Sequence, residues 1–128
     1  MVTLNDLAAD LVLAGMGVAG QDLFVAQFPK EPSDVISLHN PTNAQPVRAM
    51  AKTTDHEMNV VQVMVRSIGY DAGYDRIRAI YLRWDKFAGM INGTRYVGIL
   101  AQGDPFLIGV DENKRWRWTC SFNVRRAV

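Results

Sequence analysis

The stretch RWRWTCSFNVR, residues 115–125, alternates strictly between polar and apolar side chains. Successive side chains of a β-strand point to opposite faces of a sheet, so a period of two predicts a half-buried strand. One face carries the apolar set Trp116, Trp118, Cys120, Phe122 and Val124. The other face carries the polar set Arg115, Arg117, Thr119, Ser121, Asn123 and Arg125. We therefore predict a strand with one face in the core and arginines pointing outward.

Arginine interleaved with tryptophan is also a pattern of surfaces that bind nucleic acid. Such a surface needs aromatic and cationic groups on the same exposed face, so that bases stack while arginines contact phosphates. Here the alternation places the two residue types on opposite faces, which favours the tryptophans as core residues. The arginine face is left to contact phosphate, carboxylates of a neighbouring subunit, or water. A small nucleic-acid-binding domain that uses Arg115, Arg117, Arg125 and Arg126 is therefore one functional alternative.

Apolar periodicity elsewhere predicts the remaining elements of the fold. Helical spacing covers residues 4–14 and 70–88, with Gly15 and Gly89 as the stop signals. Strand patterns cover residues 22–28, 34–39, 57–67, 94–102 and 106–110. Residues 40–54 have no apolar period, and we predict a long flexible loop there. The order of elements predicts a single α+β domain over residues 1–128, with one mixed or antiparallel sheet packed against two helices.

Composition and charge limit the classes of function. The chain has 128 residues, a formal charge of +1 and a single cysteine, and no apolar run approaches the ~20 residues of a membrane span. We expect a soluble, cytoplasmic product. Charge is nevertheless uneven, since residues 1–35 hold five carboxylates against one lysine, and the last sixteen residues hold five basic side chains and no acid. This asymmetry suits nucleic-acid binding and head-to-tail contact between copies of the chain equally well.

The sequence offers little that could carry catalysis. Asp55, His56 and Glu57 are consecutive, so in a strand their side chains would alternate and would not converge on one metal ion. Cys120 lies on the apolar face of its strand, where an inert buried thiol is expected. No phosphate-binding loop, dinucleotide-binding motif or nucleophile elbow is present. We therefore predict no enzymatic activity, no metal and no cofactor.

Several loose motifs occur in an order that resembles one known family. They are FPKEPSDVI (residues 28–36), QVMVRS (62–67), YDAGY (70–74) and NGTRY (92–96), followed by Gln102-Gly103-x-Pro105, Gly109-x-Asp111-Glu112-x-x-Arg115 and Phe122-Asn123-Val124. Together they resemble the tail terminator, or minor capsid, proteins of long-tailed bacteriophages. Residues 39–46 depart from this pattern, because many relatives carry glycines there.

The resemblance implies a virion structural protein at the junction of tail and neck, made and assembled in the host cytoplasm. Such a protein forms a ring, of six copies in the well-known members, that caps the tail tube, stops its growth and presents a surface to the head connector. The implied partners are other copies of the chain, the tail tube protein and the neck proteins, while DNA passes through the lumen without specific binding. Another neck or head-completion protein, or a tube protein, is the neighbouring alternative.

Two groups of residues are candidates for the functional surface. The turns of the resemblance are marked by Gly103, Pro105, Gly109, Asp111 and Arg115. Candidate contacts with another subunit or a partner are the helix aromatics, the basic end of the chain and the acids near its beginning: Tyr70, Tyr74, Arg115, Arg117, Arg125, Arg126, Asp22, Glu31 and Asp34. Tyrosine is favoured at interfaces because one end of its side chain is apolar and the other polar.

Overall fold

The alternating stretch forms a central strand of a seven-stranded sheet, and two helices pack on that sheet. The computed structural model describes residues 2–40 and 56–127. Its elements are α1 (Val2–Leu13), β1 (Leu23–Val25), β2 (Val35–His39), β3 (His56–Ser67), α2 (Tyr70–Trp84), β4 (Phe87–Ile91), β5 (Thr94–Ala101), β6 (Phe106–Val110) and β7 (Trp116–Ala127). The predicted α+β fold with one mixed sheet is confirmed.

The sheet is built around the pairing of β3 with β7. The strand order is β1-β2-β3-β7-β5-β4, and β6 also pairs with β7. On the side away from β3, the carboxyl-terminal half of β7 pairs with β5 and its amino-terminal half pairs with β6. All pairs are antiparallel except β1 with β2, which are parallel. The strand β7 thus joins the amino-terminal and carboxyl-terminal halves of the sheet.

Both helices lie on the face that the apolar residues of β7 define. The buried cluster combines residues of α1, α2, β3 and β7, among them Leu7, Leu11, Ile77, Ile80, Trp84, Val61, Val63, Val65, Trp118, Phe122 and Val124. Trp84 meets Phe122 edge to face, with ring centroids 5.5 Å apart. Each large apolar side chain buried in this way stabilises the fold by about 1.5–3 kcal/mol. The period of two in β7 is therefore explained by one helix-covered face.

Bulges interrupt the half of the sheet that lies beyond β7. The register shifts between Phe87 and Gly89 in the β4–β5 pair, between Tyr96 and Gly98 in β5–β7, and between Leu107 and Gly109 in β6–β7. Gly89 and Gly109 have φ angles of 150° and 156°, which side chains with a Cβ rarely adopt. Because a bulge bends a strand and increases its twist, this half of the sheet is irregular.

Two carboxylates of α1 fasten that helix to the rest of the core. Buried Asp6 accepts hydrogen bonds from the hydroxyl of Tyr96, at 2.7 Å, and from the side-chain amide of Asn92, at 3.0 Å. Burial, followed by the hydrogen bond to Asp6, raises the pKa of Tyr96. Asp6 therefore serves the interior of the protein rather than a solvent-facing stripe of α1.

The second carboxylate, Asp10, joins α1 to α2. It accepts two hydrogen bonds from the guanidinium of Arg83 and one from the indole nitrogen of Trp84, each 2.8 Å long. Burial alone would raise the pKa of Asp10, but the hydrogen bonds from Arg83 and Trp84 outweigh it and lower that pKa below 3.8. The ionised carboxylate is thus the form that the folded protein prefers.

The long helix is shorter than its sequence predicts. It ends at Trp84 instead of Ala88, because Asp85 is extended and Lys86 has a φ of 65°. Residues 87–91 then form β4, a strand that the helical spacing of Phe87 and Ala88 concealed. The turn that joins β4 to β5 uses Asn92 and Gly93, both at positive φ, as a tight hairpin requires.

Two other boundaries differ from prediction or lie beyond description. The first strand covers only residues 23–25 of the predicted 22–28, because Ala26 adopts a φ of 60° and the chain turns out of the sheet. The helix α1 ends as predicted near Gly15, which has a φ of 74°. The predicted loop at 40–54 lies outside the described residues, apart from Asn40.

The link between Asp10 and Arg83 predicts a pH-dependent stability. Because the pKa of Asp10 is lowered on folding, its stabilisation is present above the unfolded pKa of about 3.9 and is lost as pH falls through the lower folded value. We expect Asp10→Asn to reduce the free energy of unfolding by about 1–2 kcal/mol at pH 7, allowing for the partly exposed Arg83. Urea unfolding should show this difference shrinking below about pH 4. The control Asp75→Asn alters an exposed carboxylate and should change little; an equal loss from both variants at every pH would contradict the prediction.

A close contact on the other helix predicts a second effect. A Cβ added at Gly73 would lie 2.9 Å from Cδ1 of Trp118 and 3.2 Å from Cβ of Ser67, so α2 and β7 would have to move apart. Gly73→Ala gains about 1 kcal/mol of helix propensity but overpacks the core, and we expect a net loss of about 1–2 kcal/mol. Thermal unfolding measures this change. Gly69→Ala is the control, since its nearest contact would be 3.5 Å; a Gly73→Ala protein as stable as that control would refute the overpacking.

Candidate partner-binding surface

Segments far apart in the sequence meet at the amino-terminal end of β7. Arg66, at the end of β3, is only 3% exposed and lies over the ring of Phe28, 4.7 Å from its centre. Its guanidinium donates hydrogen bonds to the carbonyl oxygens of Pro29, Pro32 and Ser33. A planar guanidinium with five N–H donors can satisfy several carbonyls at once, which a lysine cannot. Arg66 therefore fixes the course of residues 28–33 across the end of the sheet.

A second arginine holds the same segment from the other side. Arg115 is 6% exposed, its Nε donates to Asp111 at 2.7 Å, and its Nη1 donates to the carbonyl of Lys30. Asp111 also accepts hydrogen bonds from the backbone N–H groups of Asn113 and Arg115, which closes the turn between β6 and β7. We call Arg66 and Arg115 the arginine clamp and residues 28–33 the clamped segment.

The electrostatics of the clamp follow from its burial. Burial alone would raise the pKa of Asp111, but the hydrogen bonds from Arg115 and Asn113 lower it below its ordinary value. Burial lowers the pKa of Arg66, as do the positive charges of Arg115 and Arg117, while Asp111 and Glu31 oppose this effect. Three guanidiniums thus share a small region in which one carboxylate, Asp111, is bound directly to Arg115.

The expectation that Arg115 points outward and free is wrong. Its side chain is buried and its donors are used inside the molecule, because the clamped segment folds over this end of the sheet. Arg117 differs from it. The Nε of Arg117 is buried but has no hydrogen-bond partner among the described residues, and in the sheet register Arg117 lies directly opposite Arg66. Arg117 is therefore the member of the group whose side chain makes no hydrogen bond with the described residues.

Part of the acidic beginning of the chain lies close in space to part of its basic end. The pairing of β2 with β3 and of β3 with β7 places Val35 beside Arg66 and Arg66 beside Arg117. Glu31 and Asp34 therefore lie near Arg115 and Arg117, and not at an opposite pole. Exposed Arg125 and half-buried Arg126 lie at the far end of β7, about 26 Å from Arg117 by the rise of a strand.

The other candidate contacts lie at separate places. Tyr70 is 47% exposed and packs edge to face on Trp116 and Trp118, at 5.1 and 5.0 Å, and Tyr74 lies 5.2 Å from Trp118. Asp22 accepts a hydrogen bond from the N–H of Val18 and pairs with Arg76 at 3.9 Å. Asp34 accepts from the N–H of Ile68 at 3.1 Å. The tyrosines therefore cover the tryptophans at the start of α2, while two of the three acids already have local roles.

The sequence pattern missed an apolar surface on β5 and β6. The exposed side chains there are large and apolar: Val97, Leu100, Phe106, Ile108 and Val110. The signal was present in FLIGV, because a strand with one wet face should alternate with polar residues and this one does not. An open cavity of about 470 Å³ lies beside it, lined by Lys30, Val110, Asp111, Glu112, Asn113, Arg115 and Arg117. The arrangement joins apolar area to a basic recess with a carboxylate rim, a combination that suits the binding of another protein surface.

Groups that could perform catalysis are arranged unfavourably. Within residues 2–40 and 56–127, no group of three or more His, Cys, Asp or Glu side chains converges as a metal site would require. Cys120 is buried, and burial raises the pKa of its thiol to about 11, which keeps it protonated. Asp55 lies outside the described residues, as do the side chains of His56 and Glu57. The described helices include none long and apolar enough to cross a bilayer.

Comparisons with known proteins place this fold in a family. The family model described as "Bacteriophage tail terminator protein" matches residues 11–128, which include the clamp and the clamped segment. A solved chain from the "Virion of native gene transfer agent (GTA) particle" is 19% identical with a TM-score of 0.65, covering 97% of this chain and 90% of that chain. A second solved chain is 12% identical with a TM-score of 0.54, covering 97% and 95%. No match was found among the curated proteins.

The match to the family model identifies both the class of this protein and its family. A match of this length defines a structural protein of the bacteriophage tail, which is not a class of enzymes. The chain belongs to the bacteriophage tail terminator family, as its ordered motifs predict. The two solved chains share less than 25% identity with it, so they show likeness of fold.

The clamp predicts a local effect of substituting Arg66. Arg66→Lys keeps the charge but cannot satisfy three carbonyl oxygens in the same geometry, so buried acceptors lose partners. We expect the free energy of unfolding to fall by about 2 kcal/mol and backbone amides near residues 30–34 to exchange hydrogen faster. Arg95→Lys, on an exposed position of β5, is the control. Unchanged exchange in that segment of the Arg66→Lys protein would show that the clamp does not hold it.

Proposed function

We propose that this protein is a ring-forming tail terminator that caps the tail tube, stops its polymerisation and provides the surface to which the head connector attaches. The observation that carries the proposal is the family match over residues 11–128, which spans every strand and both arms of the clamp. Its partners are then other copies of the chain, six to a ring, together with the tail tube protein and the neck proteins. Its place is the tail–neck junction of the virion.

The geometry supports binding as the mechanism. One sheet face is covered by helices, while the region of β5, β6 and Arg117 leaves apolar area and a cationic recess exposed. Ring closure requires that one patch of a subunit contacts a different patch of the next, and complementary charge fixes the register of such a contact. A terminator of this kind performs no bond chemistry, and DNA passes through its lumen without specific binding.

The alternative of nucleic-acid binding is less well supported. It needs Arg115, Arg117, Arg125 and Arg126 to act as one basic surface. Arg115 is buried in the clamp, and Arg125 and Arg126 lie about 26 Å along β7 from Arg117. The recess beside Arg117 is also rimmed by Asp111 and Glu112, which would repel a polyanion.

The proposal is tested by the length and completeness of tails. When the gene is deleted, we expect overlong or headless tails in electron micrographs, because tube growth is no longer stopped and the connector has no surface to bind. Adding purified protein to isolated tubes should place closed oligomers at tube ends and halt further growth. Loss of all tails on deletion would instead identify a tube protein, and normal tails would overturn the proposal.

A further inference from the structure

The side chain of Arg117 is the starting point for a more specific contact. Its buried Nε has no hydrogen-bond partner among the described residues, and it lies opposite Arg66 and near Arg115. A guanidinium that is desolvated and surrounded by like charges is stabilised by a carboxylate. Of the described carboxylates in this region, Asp111 is already bound to Arg115 and to two backbone N–H groups, and none of Glu31, Asp34 and Glu112 forms an ion pair with Arg117. Arg117 therefore lacks the anion that its surroundings favour.

The surroundings of Arg117 select the kind of anion. Asp111 and Glu112 line the same recess beside Lys30, Arg115 and Arg117, so an extended polyanion would meet repulsion from two carboxylates there. Val110 also lines the recess, and Ile108 and Phe106 continue an exposed apolar strip along β6. A partner that fits must combine a single carboxylate with apolar side chains. A folded protein surface offers this combination, whereas a nucleic-acid backbone does not.

The start of α2 has the matching composition. Ile68 is 64% exposed and Tyr70 is 47% exposed, and the exposed carboxylates of Asp71 and Asp75 make no hydrogen bond or ion pair with the described residues. The exposed apolar residues of α1, Val12 and Leu13, have no equivalent free carboxylate in Asp10 or Asp22, since Asp10 is bound to Arg83 and Asp22 is bound to Val18 and Arg76. The surface around Arg117 and β6 is thus apolar and basic, and the surface at the start of α2 is apolar and acidic.

The two surfaces lie at the same end of the sheet but on different sides of it. The helix α2 packs on the sheet face that carries Trp118, whereas Arg117 belongs to the opposite face of β7. Complementary patches on different sides of a subunit form a heterologous contact, which repeats from copy to copy and closes into a ring when its rotation permits. We infer that Arg117 and the apolar strip of β6 in one copy bind Asp75, Asp71, Tyr70 and Ile68 at the start of α2 in the next copy. This inference rests on the proposed function and names the surfaces that would form its ring.

Charge reversal tests the contact. The variants are Arg117→Glu, Asp75→Arg and the two together in one chain, with Arg95→Glu as an exposed arginine control on β5. Native mass spectrometry and electron microscopy of protein mixed with isolated tail tubes measure the concentration that half-fills tube ends with oligomer. Each single reversal should raise this concentration at least about tenfold, and the double variant should return to within about threefold of the original protein. Arg95→Glu should match the original protein.

Stability measurements separate lost assembly from lost folding. Arg117→Glu removes a positive charge facing Arg66, so its thermal midpoint as a monomer should equal or exceed that of the original protein. Asp75→Arg alters an exposed position of α2 and should also fold normally. If a reversal unfolds the monomer, Arg117→Gln and Asp75→Asn replace it and should each weaken assembly by about tenfold.

The remaining outcomes contradict either the contact between copies or the proposed terminator function. If the original protein caps tubes and both single reversals cap equally well, or if the double variant stays as weak as the singles, the contact is refuted while the terminator function stands. If Arg117→Glu leaves capping intact but abolishes a steeply salt-dependent affinity for DNA, the recess binds phosphate and the inference is wrong. If the original protein neither caps tubes nor oligomerises on them, the proposed function itself fails.

Discussion

Twelve residue pairs join β3 to β7, and the positions of all the features described above depend on this register. It places Val61, Val63 and Val65 in one layer with Trp118, Cys120 and Phe122, so that both helices find a continuous apolar face. A shift of one residue would move every side chain of β7 to the other face and bury its arginines under α2. The same register sets Arg66 beside Arg117, so the core and the charged surface are two results of one pairing.

The clamp shows how a structural interaction shapes a binding surface. Arg66 and Arg115 donate hydrogen bonds to backbone carbonyls, and Arg115 also donates to Asp111. These bonds hold the clamped segment and the turn before β7 against the end of the sheet. That arrangement leaves the Nε of Arg117 buried close to Arg66 and Arg115. The family motifs at residues 28–36 and 109–115 are thus physically adjacent, which gives their shared occurrence in the sequence a structural reason.

Much of the fold could be predicted because its signals are local. The alternation of β7, the helical spacing of α1 and the stop at Gly15 depend on nearby residues alone, and each was confirmed. The burial of Arg115 depends on a segment 85 positions away, and no local pattern reports it. The end of α2 was missed because Phe87 and Ala88 suit either element, while Asn92 and Gly93 decide in favour of a hairpin. The strand β6 was predicted, but the exposure of its apolar side chains Phe106, Ile108 and Val110 was not.

The bulges of the outer strands have a consequence for solubility. A regular exposed edge offers a row of free N–H and C=O groups on which another chain can build, and this leads to unlimited fibrillar growth. Here the edge strands β4 and β6 each pair with a shift in register, next to Gly89 and Gly109. These bulges interrupt the row of free N–H and C=O groups on which another chain could build. Contacts between copies of the chain are therefore expected to use side chains. The backbone bulges thereby protect against open-ended aggregation, and they lie in the same strands that carry the exposed apolar residues.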